Sequence, residues 1–297
     1  PPPRWYRRRQ RQMCIRDRLL MALRLVEGFS HLAIVVAAPT LMAAISSPPD
    51  EPVAKGLWGP YFGVGFAGAE AVIPLLGGPA QVYVAHGAFG VLLLLALWPL
   101  LPKGVARGQW EGNVWARHVA IYTSPRLLAP ALGFLWHTIM FLGLLTFLPS
   151  VLGDWTGPLL PLLALIGTFG AGWLAKWIRP GTVLLAGFGA TVVGLMLALV
   201  VPAPLQVWVV LAVFVAIGLV PGASFANVPA LNDDPADQAR ANGAIAQLGN
   251  IGTAASTPVF AAAVVFGFEG LALVAVAVSA VGFVLVWLIH RKIAKSA

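Results

Sequence analysis

Charge is what this sequence is short of. Only 10% of its 297 residues are Asp, Glu, Lys or Arg, against roughly a quarter in a soluble domain, so too few charges exist to coat an ordinary water-facing surface. Cysteine is almost missing as well, and Cys14 alone allows no disulfide within the chain. No Gly-x-x-x-x-Gly-Lys-Ser/Thr loop cradles a phosphate, no Cys/His cluster has metal-ligand spacing, and no Ser, His and Asp arrangement stands out. Gly63-Val-Gly65 lacks the strand-then-helix context of a nucleotide fingerprint. An enzyme, a cofactor and a metal are therefore not expected, and ATP-driven transport would need a soluble motor domain for which the chain has no room.

What is there is apolar: 59% of the residues are hydrophobic and the mean hydropathy is +0.85. This composition predicts an all-α integral membrane protein. Nine stretches approach the ~20 residues needed to cross a bilayer: 19–45, 55–77, 80–101, 126–149, 157–178, 181–201, 205–230, 240–266 and 269–290. Short joints marked by Pro or Gly, such as Gly153 to Pro158, make neighbouring helices antiparallel. The net charge of +8 does not indicate a nucleic acid partner, because the basic residues lie in the amino-terminal tail and in short loops. The partner is a lipid bilayer. One alternating set of loops carries Lys55, Lys103, Arg107, Arg117, Arg126, Lys176, Arg179, Arg240, Arg291, Lys292 and Lys295; the other carries no base, only Asp154 and Glu269. By the positive-inside rule the carboxyl terminus is cytoplasmic; the expected location is a bacterial inner membrane. The seven arginines of residues 1–18 then fall on the wrong side, and Gln10 to Asp17 resembles a translated sequencing-library adapter. Residues 1–18 are read as a non-native basic tail.

The stretch Ala223 to Gly252 reads as a hairpin of two membrane helices around an acidic turn, Asp233, Asp234, Pro235 and Asp237, with Gly243, Gly249 and Gly252 forming a face fit for close helix contact. A similar hairpin occurs earlier: Ala38-Pro-Thr-Leu41 matches Val228-Pro-Ala-Leu231, Asp50 matches Asp237, Lys55-Gly56 matches Asn242-Gly243, and Gly63-Val-Gly65 matches Asn250-Ile-Gly252. An offset spanning six hydrophobic segments is the mark of two parallel six-helix halves.

On these residues the chain resembles the major facilitator superfamily of twelve-helix secondary transporters. Arg24-Leu-Val-Glu-Gly28 is similar to the Arg-x-x-x-Gly motif of that family's fourth helix, and residues 223–258 are similar to its tenth and eleventh helices. Gly59-Pro-Tyr-Phe-Gly63 matches the fifth-helix antiporter motif only in part, since Val64 replaces the second glycine. Gly172 to Arg179 is a degenerate loop motif with Lys176 at the acidic position. The resemblance implies a facilitator-type bundle of about nine helices, equivalent to helices 4–12, lacking three at the amino end. Residues 19–101 would be a partial first half, 102–125 a cytoplasmic connection, and 126–297 the second half. It further implies a monomeric, proton-coupled carrier of a small-molecule substrate, inactive as this fragment alone.

Arg24, Glu27 and His31 share one helix face by spacing and could couple protons or bind an anion, or Arg24 could simply pair with Glu27. Glu70 is a second coupling candidate. His137, Asn227, Gln247 and Asn250 are polar groups at membrane depth, costly unless partnered or facing a cavity, and so could line a substrate path or knit helices together. A non-transporting sensor or scaffold on the same fold is the alternative. An intramembrane enzyme would need a carboxylate pair or metal cluster converging inside the bilayer.

Overall fold

A computed structural model describes residues 17–31, positions 34, 38, 41, 42, 45 and 47, and residues 61–101 and 113–296. They fall into two units divided after Gly59. In the first, residues 17–31 are one helix. Most of the earlier hairpin copy, including Pro39, Asp50, Lys55 and Gly56, lies outside the described residues, as do the tail up to residue 16 and residues 102–112.

The described residues of the second unit form helices joined by short turns, with no strand among them: α1 Tyr61–Val72, α2 Pro79–Leu97, α3 Val114–Thr123, α4 Pro125–Leu152, α5 Leu159–Leu174, α6 Pro180–Val200, α7 Ala203–Leu231, α8 Pro235–Ala261 and α9 Gly267–Lys295. Six segments, 79–100, 125–152, 154–174, 180–200, 203–231 and 264–295, are long and apolar enough to cross a membrane, and Gly63–Leu76 is a shorter apolar helix. The segment expected at 240–266 folds as α8 but is less apolar. Asp237, Arg240, Asn242, Gln247 and Asn250 on it dilute the hydropathy, so the nine-span count rests on the sequence alone.

Helix ends follow local chemistry. Ser124 caps α4 by accepting from Leu127 N, with Pro125 in the first turn where its missing N–H costs nothing. Asp234 caps α8 through Ala236 N at 3.0 Å, again with a proline next. Gly153 (φ 111°) closes α4 and Gly267 (φ 63°) opens α9 in backbone conformations that a side chain would strain.

Two helices organise the bundle. α7 packs on α5 and α6, and α4 packs on α8, α9 and α7. The sequence hairpin α7–α8 is therefore not a pair of helices lying on each other: a short turn joins them, and both pack mainly on other helices, α8 chiefly on α4. The α5–α7 crossing is the tightest. A Cβ on Gly218 would collide with the Ala164 carbonyl, one on Gly167 with the Val215 carbonyl, and one on Gly222 with the Thr168 carbonyl. Thr168 adds a hydrogen bond across this crossing, donating to Gly218 O at 3.1 Å. α4 meets α8 in the same way, where Gly249 faces the Phe134 ring and Gly252 faces Thr138 and the Leu135 carbonyl; Gly243 has nothing within reach. Ser256 of α8 then donates to Ile139 O at 2.8 Å. By contrast, no residue of α2 is buried. Its apolar surface faces outward all round, as suits hydrocarbon surroundings.

Gly218→Leu is expected to destabilise the bundle by about 1–3 kcal/mol or more, read as an earlier thermal unfolding transition in detergent. Gly170→Ala, on α5 with open space around it, should be neutral or stabilising by up to ~1 kcal/mol.

Candidate functional site

Proline chemistry sets the frame of the site. Pro130 in α4 has no N–H, so the Arg126 carbonyl one turn earlier loses its intrahelical donor. Buried Asn232, at the end of α7, reaches that carbonyl with its amide nitrogen at 3.4 Å while also holding Val228 O at 3.0 Å. Gln238 of α8 donates to Asn232 O at 3.0 Å. One amide thus fastens the α7–α8 turn to the start of α4 and fixes how the two helices face each other further along.

Along that seam runs a ladder of rings. Phe225 meets Phe134 edge-on at 5.4 Å, Phe134 lies 5.8 Å from His137, His137 stacks on Phe141 at 5.0 Å, and Phe141 reaches Phe214 at 6.1 Å. His137 is 4% exposed, and its Nδ1 has no hydrogen-bond partner. Two further buried polar atoms share that condition nearby on the fold. Trp136 Nε1 immediately precedes it on α4, packed where Gly282 of α9 and Phe188 of α6 converge. Ser224 Oγ lies on α7, 3.1 Å from where a Cβ of Gly133 would be. Leaving such a group unmet costs on the order of 1–3 kcal/mol, and three on adjoining faces of one bundle are chemically poised to receive a hydrogen-bonding guest. No Asp, Glu, Lys or Arg is among the buried residues described, so the interior of this unit is polar without fixed charge. The surface hollow by Ile73, Gly78, Pro79, Val82 and Tyr83 and the one by Leu288, Arg291, Lys292 and Lys295 both lie away from His137.

The residues singled out from sequence scatter among environments. Arg24 and Glu27 form an ion pair at 2.5 Å with both side chains about half exposed, 47% and 58%, and His31 is exposed on the same helix. Glu70 is half-buried on α1, and its carboxylate lies 3.1 Å from the position a Cβ on Gly157 would take, so it reaches the α4–α5 turn beside Asp154. The three amides diverge. Asn227 is buried and donates to Ala223 O of its own helix at 3.1 Å. Asn250 is exposed. Gln247 is half-buried and held at both ends by α3: its carbonyl oxygen accepts from Tyr122 Oη at 2.6 Å and its nitrogen sits 3.4 Å from His118 Nε2. Residues 114–123, expected as part of a connecting segment, are thus a helix docked on α8 and α4.

Ser224 was legible but unremarked, since it precedes Asn227 by three and so shares its helix face. The pairing of Tyr122 and His118 with Gln247 spans well over a hundred residues and leaves no local trace.

Compared with protein-family models and with curated proteins, the chain matches none. Fold and composition define its class: an all-helical protein whose described residues include six apolar helices of membrane length.

Partial burial raises the Tyr122 phenol above its ordinary value near 10. A phenol whose folded pKa is raised contributes stability that is fully present below the unfolded value and declines as pH climbs past it. Docking of α3 on α8 is therefore expected to hold steady up to about pH 10 and weaken above. Tyr122→Phe should remove that alkaline step and cost about 0.5–1.5 kcal/mol below it; hydrogen exchange of residues 114–123 across pH reads both.

Proposed function

We propose that this sequence belongs to a secondary carrier of the facilitator type, which moves a small solute across a membrane by alternating access and draws on a proton gradient. The single observation that carries the reading is that three of the four unmet buried polar atoms, Trp136 Nε1, His137 Nδ1 and Ser224 Oγ, lie on α4 and α7, the fourth being His290 Nε2 near the end of α9. Polar groups inside a membrane bundle are expensive and commonly mark a path for solute or protons. Asn227, one turn from Ser224, supplies a further amide on the same helix. In this reading α4 and α7 flank the path, the ring ladder between them seals it in the state described, and a guest satisfies the orphaned atoms as the seam loosens. Arg24 and Glu27, already paired, and Glu70 are the ionisable groups offered for coupling.

One observation favours a second reading. Rings rather than open space surround His137, as a non-transporting sensor or scaffold on a carrier fold would have them.

The test uses the full natural protein containing this sequence, reconstituted in proteoliposomes with a trapped pH dye and offered sugars, amino acids and lipophilic amines in turn. At least one solute is expected to move protons. Ser224→Ala together with His137→Phe should slow that flux at least tenfold, equivalent to about 1.4 kcal/mol of lost transition-state stabilisation. Solute uptake indifferent to an imposed pH gradient removes the proton coupling; silence across the whole panel, or flux untouched by both substitutions, favours the sensor.

A further inference from the structure

The cationic end of α9 plays no part in this path. α9 has 29 residues, about 43 Å at ~1.5 Å per residue, which exceeds the ~30 Å of a bilayer's hydrocarbon. Its uncharged run 270–289 alone fills that thickness, so Arg291, Lys292 and Lys295 emerge at headgroup depth. With Leu288 they follow the i, i+3, i+4, i+7 spacing of a single helix face, and these four side chains line a surface hollow of about 350 Å³. The Arg291 guanidinium lies over the Trp287 ring at 5.2 Å, which holds one cation in place above an apolar surface.

The neighbouring helix brings more charge of the same sign to this level. His290 packs on Gly181 in the first turn of α6, where a Cβ would meet the imidazole at 2.6–2.8 Å. That contact sets Arg179, the residue capping α6, and Lys176 just before it at the depth where α9 ends. Trp173 and Trp177, in edge contact at 4.5 Å and both exposed, mark the same border as interfacial aromatics do. Among the described residues no carboxylate pairs with Lys176, Arg179, Arg291, Lys292 or Lys295, whereas Arg240 is paired with Asp237 at 2.7 Å. Like charges gathered without counter-ions are stabilised by an external anion, and the apolar stem below them calls for one that carries its own hydrocarbon.

We propose that the face formed by Leu288, Arg291, Lys292 and Lys295 binds an anionic phospholipid: the phosphate sits among the three cations and an acyl chain runs down past Leu288 and Trp287. This assignment is independent of solute transport.

Trp287 is a built-in reporter. The full chain is placed in vesicles with equal mole fractions of brominated phosphatidylglycerol or brominated phosphatidylcholine, and the Trp287 emission is isolated by difference against Trp287→Phe. Quenching by the anionic lipid should be favoured at least about fivefold, the weight of a single interfacial cation. R291Q/K292Q/K295Q, at exposed positions that keep helix propensity, should abolish the preference. Equal quenching by the two lipids overturns the proposal, as does a preference surviving in the triple variant. If inorganic phosphate removes the preference while chloride at matched ionic strength does not, the ligand is free phosphate and the lipid assignment fails.

Discussion

Close backbone approach at the α5–α7 crossing is the contact on which the rest of this bundle depends. In hydrocarbon every peptide group must be satisfied within its own segment, which makes helices obligatory. Burying apolar side chains between them then gains little over leaving them in lipid, so helices associate where their surfaces can approach closely. Gly167, Gly218 and Gly222 remove side chains at the points where α5 and α7 touch, and the Ala164, Val215 and Thr168 carbonyls occupy the vacated space. With the axes that near, Thr168 Oγ1 can reach Gly218 O across the gap. The α4–α8 contact repeats the device with Gly249 and Gly252.

The polar side chains divide along the same physical line. Those that mend a defect in the backbone are structural: Asn232 takes up the Arg126 carbonyl that Pro130 strands, and Gln247 is consumed at both ends by Tyr122 and His118. Those left with an unmet atom, on Trp136, His137, Ser224 and, at the far end of α9, His290, mend nothing. Residue type does not separate the two groups. Gln247, one of the amides suspected of touching solute, falls among the menders beside Asn232, while the small Ser224 is left open.

How much of this could be read from the letters depends on the range over which each feature is encoded. Helix limits, the turn at Asp234 and Pro235 and the break at Gly153 are local, and they stand in the structure within a few residues of where the sequence suggests. The contact role of Gly249 and Gly252 followed from spacing, but Gly243, on the same pattern, touches nothing. Periodicity names a face and not its partner, so the hairpin's two helices looked like mates although each spends its contact surface elsewhere. Hydropathy failed similarly for α8. Its amides lower the average, yet the helix is held by packing on α4 rather than by apolar bulk. The pairing of Arg24 with Glu27 was readable from a spacing of three. The outward position of Asn250 was not, because three polar residues on one helix do not announce which of them the neighbouring helix covers.

The way the seams are fastened decides where this unit can move. α4 is tied to α8 by close contact at two glycines, Gly249 on the Phe134 ring and Gly252 on Thr138 and the Leu135 carbonyl, and by Ser256 to Ile139 O, and to α9 by Ser279, which donates to Met140 Sδ at 2.8 Å. α7 is locked to α5 through the glycine crossing. Between α4 and α7 a hydrogen bond lies at one end, through Asn232, and further along the seam rings meet edge-on and tilted. Each ring pair is worth only about 0.5–1.5 kcal/mol beyond the area it buries, whereas the α5–α7 interface would have to lift a backbone out of a groove. Displacement is therefore cheapest between α4 with α8 on one side and α7 with α5 on the other, hinged near Asn232. α9 touches both α4 and α6, and Gly282 is the point where Trp136 and Phe188 meet it without a side chain in the way. Motion of this kind would uncover His137 and Ser224, because they lie along that seam, where Gly133 of α4 admits the Ser224 side chain rather than a backbone carbonyl.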